Sequence, residues 1–351
     1  MSHLRGGDDA GVEIYTQKAP EALIRLLYEH LPHSLSLLRR LQFTKCPGGI
    51  TEHARILYAS DVALSSTLPG AGAAAGEAVA TQASYPFTAA YLDISRGPET
   101  QMWMYSTLER SGLDGDNEDP PSNKEDNRQR ALRHAVSILR TARRLLSAAV
   151  AASGWSASPL GPCILAGTLN EALRVPLQDE CGIVFPHVGL HDKWLFDVRE
   201  VQFARHIEGA RLGPGMRWGG VRGEDLPWVL SRSDVPRQER TVKLLPSTAV
   251  LLEDGTPIAW SFLGPDAGLS GLHCEELYRG RGIAKAVGAK IMQDHLQFYG
   301  GDDIKICVAE VALDNLSSQG VCKSLGGKIG WTCSWSTIDL DTVPMKNTLH
   351  L

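Results

Sequence analysis

No hydrophobic run in this chain is long enough to cross a bilayer. The strongest, Leu145 to Ala152, falls far short of the roughly 20 apolar residues that a spanning helix needs. The opening Met1-Ser2-His3-Leu4-Arg5 lacks the apolar centre of a secretion signal, so the sequence predicts a cytoplasmic protein with no membrane partner. Cysteine is sparse and unpatterned. Cys46, Cys163, Cys181, Cys274, Cys307, Cys322 and Cys333 form no CxxC pair, which argues against a disulfide framework and against a metal site and leaves buried thiols as the expectation. An excess of positive charge is missing too: the net charge is −5, which offers no electrostatic reason to bind nucleic acid and would tolerate a cationic amine. The nucleotide patterns GxxxxGKS/T and GxGxxG are absent, which disfavours the P-loop and dinucleotide folds.

What is present is a globular composition. With 43% apolar and 21% charged residues over 351 positions, the chain can bury a core, and its length favours two domains. Pro20 to Phe43 has helical apolar spacing interrupted by Pro32. Strand-like runs follow at Ala54–Tyr58, Thr88–Ile94 and Met102–Tyr105. Ser65 to Ala83, rich in Ala and Gly, and the acidic Ser111 to Asn127 are expected as loops. Asn127 to Ala152 is the best amphipathic helix. His187 and His191 are four apart, but Gly189 and Pro186 oppose the helix that would align them on a metal, and the segment reads as a loop. The glycines of Gly209 to Gly220 mark the domain break: residues 1–210 form an N-terminal α/β domain and 215–351 a second. In the second, turn chemistry at Glu253-Asp254-Gly255-Thr256-Pro257 makes a hairpin of Thr248–Leu252 and Ile258–Leu263. A strand Gly271–Glu275, a glycine turn, a helix Ile283–Tyr299, a strand Ile304–Val311, a helix Ser317–Leu325 and a last strand pair near Trp331–Ile338 follow.

The turn between that strand and that helix, Tyr278-Arg279-Gly280-Arg281-Gly282-Ile283-Ala284, carries the chemistry. Free N–H groups and the positive end of the dipole at a helix start make an anion cradle. The glycines permit close approach, and Arg279 and Arg281 add charge. Arg279-x-x-Gly282-x-Ala284 resembles the Gln/Arg-x-x-Gly-x-Gly/Ala segment of the GNAT N-acyltransferases. Asn315-x-x-Ser318, followed by Cys322 and Leu325-Gly326, is similar to the family's second motif. The similarity spans roughly residues 215 to 340, and the hairpin Ala249–Leu263 most resembles the glycine N-acyltransferase-like branch. It implies a GNAT α/β fold, a mixed and mostly antiparallel sheet flanked by helices. It also implies acetyl-CoA, or another acyl-CoA, held by Arg279, Gly280, Arg281, Gly282, Ile283 and Ala284 at the pyrophosphate, by Asn315 and Ser318 along the pantetheine arm, and by the backbone N–H of Cys274 at the thioester carbonyl.

The resemblance further implies transfer of a short acyl group to a small-molecule amine. Cys322 stands where the family often has a tyrosine that protonates the departing thiolate, and it is either the replacement acid, a thiol open to acylation, or a buried structural group. For the base, strand alternation puts Leu272 and Cys274 under the helix and His273 and Glu275 toward the cleft. A bulge would bring in Glu276 instead, a solvated charge near a strand end is an equal reading for each of these three, and Glu310 on the neighbouring strand is a weaker candidate. The first 210 residues lack a CoA-type turn and, by analogy with tandem GNAT proteins, are expected to be a degenerate GNAT-like half. The competing readings are a non-catalytic acyl-CoA-binding or scaffold protein and an O-acyltransferase.

Overall fold

The computed structural model describes residues 4–5, 11–67, 85–110, 121–153, 161–233, 235, 237–300 and 303–345. The expected loops at Ser65 to Ala83 and Ser111 to Asn127 therefore lie mostly outside the described residues. The chain forms two compact units: residues 1–45, 50–189 and 334–351 make unit 1, and 46–49 with 190–333 make unit 2.

Unit 1 runs β1 (Leu4–Arg5), β2 (Val12–Tyr15), α1 (Glu21–Glu29), α2 (Leu35–Phe43), β3 (Ala54–Ser60), β4 (Phe87–Asp93), β5 (Met102–Ser106), α3 (Pro121–Ser153), β6 (Cys163–Asn170) and α4 (Glu171–Asp179). Pro32 falls between α1 and α2, as its missing N–H requires. Helix α3 starts earlier than its apolar periodicity because Pro121 suits a first helical turn. Its stripe of Ala131, Ala135, Ile138, Leu139, Ala142 and Leu146 packs on Leu57, Ala90, Leu92 and Met104 of the sheet.

Unit 2 contains β7 (His187–Asp197), α5 (Phe203–Glu208), β8 (Arg217–Gly219), α6 (Leu226–Ser231), α7 (Glu239–Val242), β9 (Ser247–Leu251), β10 (Pro257–Leu263), β11 (Gly268–Cys274), α8 (Ile283–His295), β12 (Ile306–Ala312), α9 (Leu316–Ser324) and the first half of β13 (Lys328–Asp339). The segment around His187 and His191, expected as a loop, is a strand, because seven residues of β7 find ladder partners on β12.

The element orders match. Unit 1 repeats strand, two helices, three strands, helix, strand, helix from β2 to α4, and unit 2 does the same from β8 to α9. Sheet neighbours match as well, β2-β3-β4-β5-β6 in one and β8-β9-β10-β11-β12 in the other. In both the pairing is antiparallel except at the parallel pairs β5/β6 and β11/β12. This is a tandem GNAT fold, mixed α/β with a mostly antiparallel sheet in each half. The sixth strand of each is exchanged: β7, which follows α4 in sequence, pairs with β12, and the second half of β13, Ser334–Asp339, neighbours β6. The chain therefore divides at Gly189/Leu190 and returns to unit 1 at Ser334, where the sequence reading put one break at 210–215. Glycine content marked a loop, while the exchanged pairing is a long-range property that composition does not carry. Among the described residues no helix is long and apolar enough to cross a membrane.

Candidate active site

Every residue singled out for chemistry lies in unit 2. Strand β11 shapes the site from both edges. Against β10, Phe262 pairs with Ser270 and Trp260 with His273, so β11 carries one extra residue over that step, a β-bulge at Gly271. Gly271 has φ of 60°, which glycine adopts without steric cost. Against β12, β11 makes parallel pairs at Gly268↔Val308 and Leu269↔Ala309, and among the described residues the ladder stops there.

The backbone of Cys274 follows from this register. Glu275 N donates to Ile258 O at 2.8 Å while Cys274 faces Ala259, which makes Ala259 and Cys274 a non-hydrogen-bonded antiparallel pair. The N–H and C=O of Cys274 therefore point away from β10, toward the edge that β12 has left. The carbonyl accepts from Arg279 Nε at 3.0 Å. The N–H is placed to polarise a carbonyl held between the parting strands. The Cys274 and Leu272 side chains pack under α8 with Ile283 and Val287, as alternation predicts.

Beyond β11 the turn residues Gly280 and Gly282 have φ of 76° and 80°. Gly282 is the N-cap of α8 and no side chain caps the helix, so its first N–H groups stay open to an anion. A Cβ at Gly280 would meet nothing within 4 Å, and one at Gly282 would lie 3.6 Å from Gly209 O; backbone conformation, not crowding, asks for glycine here. Ile283 is buried and Ala284 half-buried against the same cluster. The guanidinium of Arg281 lies 5.5 Å from the Tyr278 ring centroid. These features fit a diphosphate, which would take the N–H groups of residues 280–284 with Arg281 alongside.

Asn315 caps α9, its Oδ1 accepting from Ser318 N at 3.0 Å. The pair expected to face pantetheine thus also fixes the start of α9 just beyond β12. Cys322, on the same helix, is buried, and burial pushes its thiol up to about 12. It stays protonated at neutral pH, which makes it a poor nucleophile and a weaker acid than an ordinary thiol.

On the other face of the β10/β11 ladder, His273 stacks on Trp260 with centroids 4.6 Å apart. Its Nε2 lies 3.7 Å from Glu275 Oε1, which accepts from Arg232 Nε at 2.9 Å. Arg232 in turn lies 3.8 Å over the Trp228 ring. Burial lowers the His273 pKa; Glu275 opposes this, and Arg279 and Arg232 add to it. The ring is accordingly neutral near pH 7 and able to accept a proton. Glu276 opens an exposed 3-10 turn, Glu276–Tyr278, five residues past the bulge. Glu310 is buried and ion-paired with Lys193, its register partner on β7, and burial raises its carboxyl against the pull of that ammonium. The structure thus brings His273 and Glu275 together and leaves Glu276 and Glu310 apart from them in these contacts.

Sequence reasoning missed Arg205, His206 and Lys285. With Gly209, Gly282 and Ser324 they line a cavity of about 370 Å³ beside the start of α8. The first two belong to a six-residue helix, too short to show periodicity, but a basic residue directly after the glycine turn was a readable signal.

A sheet that parts beside a bulged strand, with an open helix start following it, has the geometry that transfer from an acyl-CoA requires. The model for the N-terminal domain of the acyl-CoA N-acyltransferase verG matches residues 11–195, more than half of the chain, and the chain belongs to that family. Among solved structures, a Drosophila protein is similar over 91% of this chain and 97% of its own, at 12% identity and a TM-score of 0.56, which bears on the fold alone. A tandem GNAT protein from the clavulanic acid biosynthesis pathway is similar over 93% of this chain and 97% of its own, at 10% identity and a TM-score of 0.49. A GCN5-related N-acetyltransferase from Sphaerobacter thermophilus covers 98% and 99%, at 12% identity and a TM-score of 0.39. No curated protein matches the sequence.

Proposed function

We propose that the protein is an N-acyltransferase that moves an acetyl or other short acyl group from acyl-CoA to the amine of a small molecule. The observation that carries this reading is the placement of the Cys274 N–H on the open edge of β11, one residue from His273 on the opposite face. The thioester is already activated. The protein has to align a neutral amine with it, accept the proton that the ammonium loses, and stabilise the developing oxyanion. His273 would take the proton directly or through water, with Glu275 holding the imidazole, and Cys274 N–H would meet the oxyanion. The departing thiolate would draw its proton from solvent, because the buried Cys322 thiol is the weaker acid of the two thiols. The hairpin of β9 and β10 supports an affinity with the glycine N-acyltransferase-like branch. The test is release of free CoA from acetyl-CoA across an amine panel, with the product identified by mass. An acylated product that is labile to alkali would point to a hydroxyl acceptor instead.

A second reading rests on Cys322. A buried thiol at about 12 in the place of the family's tyrosine suits a protein that binds acyl-CoA without turning it over. Saturable binding with no CoA release against every amine would favour it.

A further inference from the structure

The cavity beside α8 gathers positive charge without a counter-charge. Arg205 and His206 come from α5, which packs along α8, and Lys285 comes from the first turn of α8 itself. Arg205 hydrogen-bonds Gln202 through Nη1 at 3.1 Å, a neutral partner. Among the described residues none of the three bases has a carboxylate within ion-pair distance. Burial lowers the His206 pKa, and Lys285 and Arg205 lower it further, so the three bases share one field. Like charges so arranged destabilise the empty site and favour an anion that enters it. Gly282 lines this cavity and also caps α8, so the anion received here would sit next to a diphosphate on the α8 cradle, and Ser324 of α9 lines it too.

We propose that Arg205, His206 and Lys285 form a subsite for a phosphomonoester, the ribose 3′-phosphate of CoA, and thereby make free acyl-CoA the donor rather than an acyl-pantetheine lacking that phosphate. The inference rests on the acyl-CoA reading of the α8 cradle. CoA carries one phosphate beyond its diphosphate, and a dianion against two permanent cations and an imidazole that can become a third forms charge-assisted hydrogen bonds. Arg205, in a helix that the glycine turn does not include, would thus set donor choice.

Titration calorimetry with CoA, 3′-dephospho-CoA and pantetheine tests it on the intact protein. The wild type should bind CoA at least about tenfold more tightly than 3′-dephospho-CoA. In the double variant Arg205→Ala/Lys285→Ala the preference should fall below about threefold while affinity for 3′-dephospho-CoA is kept. Equal binding of the two nucleotides by the wild type, or a preference that survives the double substitution, overturns the subsite and leaves the cradle intact. Binding of neither nucleotide overturns the cradle reading and the subsite with it. The wild-type comparison needs no variant, so a misfolded mutant does not decide the matter.

Discussion

Gly282 sits at φ of 80° as the N-cap of α8, and this permits a substitution that separates binding from folding. Aspartate tolerates the left-handed region better than most residues, at a strain of about 1–2 kcal/mol. Its carboxylate would stand at the helix start and repel the diphosphate. Gly282→Asp should therefore leave the melting temperature within a few degrees of wild type and weaken acetyl-CoA binding at least about tenfold by calorimetry. Unchanged affinity would remove the diphosphate from the α8 cradle. His273 makes a second test. Its folded pKa is lowered by burial, so the neutral base is present near pH 7 and is lost as pH falls through a value below the ordinary one of about 6.5. The kcat/KM profile should show an acidic limb there that disappears in His273→Asn, with turnover reduced about 100-fold. If Glu275→Gln erases the limb and His273→Asn does not, the carboxylate is the base.

The buried pair between β7 and β12 joins two strands far apart in sequence. Lys193 and Glu310 face each other in register and both are buried, so removing one partner leaves a charge without compensation in a poor solvent. Lys193→Met should cost about 3–5 kcal/mol in urea unfolding, and Lys193→Met/Glu310→Leu should recover most of it. A double variant no more stable than the single would mean that other neighbours, His191 among them, also hold Glu310. This strand pairing also shows where sequence stops being informative. The turn Arg279–Ala284 and the hairpin of β9 and β10 are local, and each was legible from spacing and turn chemistry. β7 was not, because Pro186 and Gly189 read as loop and its ladder partners arrive more than a hundred residues later. The α5 cations were passed over for a related reason: only the packing of α5 on α8 gives Arg205 a relation to Gly282.

The two units share one pattern of elements but not one chemistry. In unit 2 the segment between the fourth strand of the repeat and its long helix ends in Arg279-Gly280-Arg281-Gly282; the corresponding stretch of unit 1 includes Asp114, Asp116, Glu118 and Asp119, followed by prolines. A run of carboxylates repels a diphosphate where glycines and arginines attract one, so the chain should bind a single acyl-CoA, and calorimetry should return a stoichiometry near one per chain. The exchange of sixth strands adds a mechanical consequence. Ser334, Ser336, Ile338 and Leu340 are fully buried in unit 1, although they follow the whole of unit 2 in sequence. Ending the chain after Cys333 would spare every residue assigned to acyl-CoA while stripping unit 1 of its last strand and exposing Ile164, Leu173 and Ile183 of the same core cluster. Burial of a side chain of that size is worth about 1.5–3 kcal/mol, and several are lost together. The truncated protein should thus show protease cleavage within residues 11–189 at concentrations that leave the full chain whole, and lose one of the two units before the other in thermal unfolding. Protection of 11–189 equal to that of the full chain would mean that β13 contributes little to unit 1, and that the exchange is a feature of topology without weight in stability.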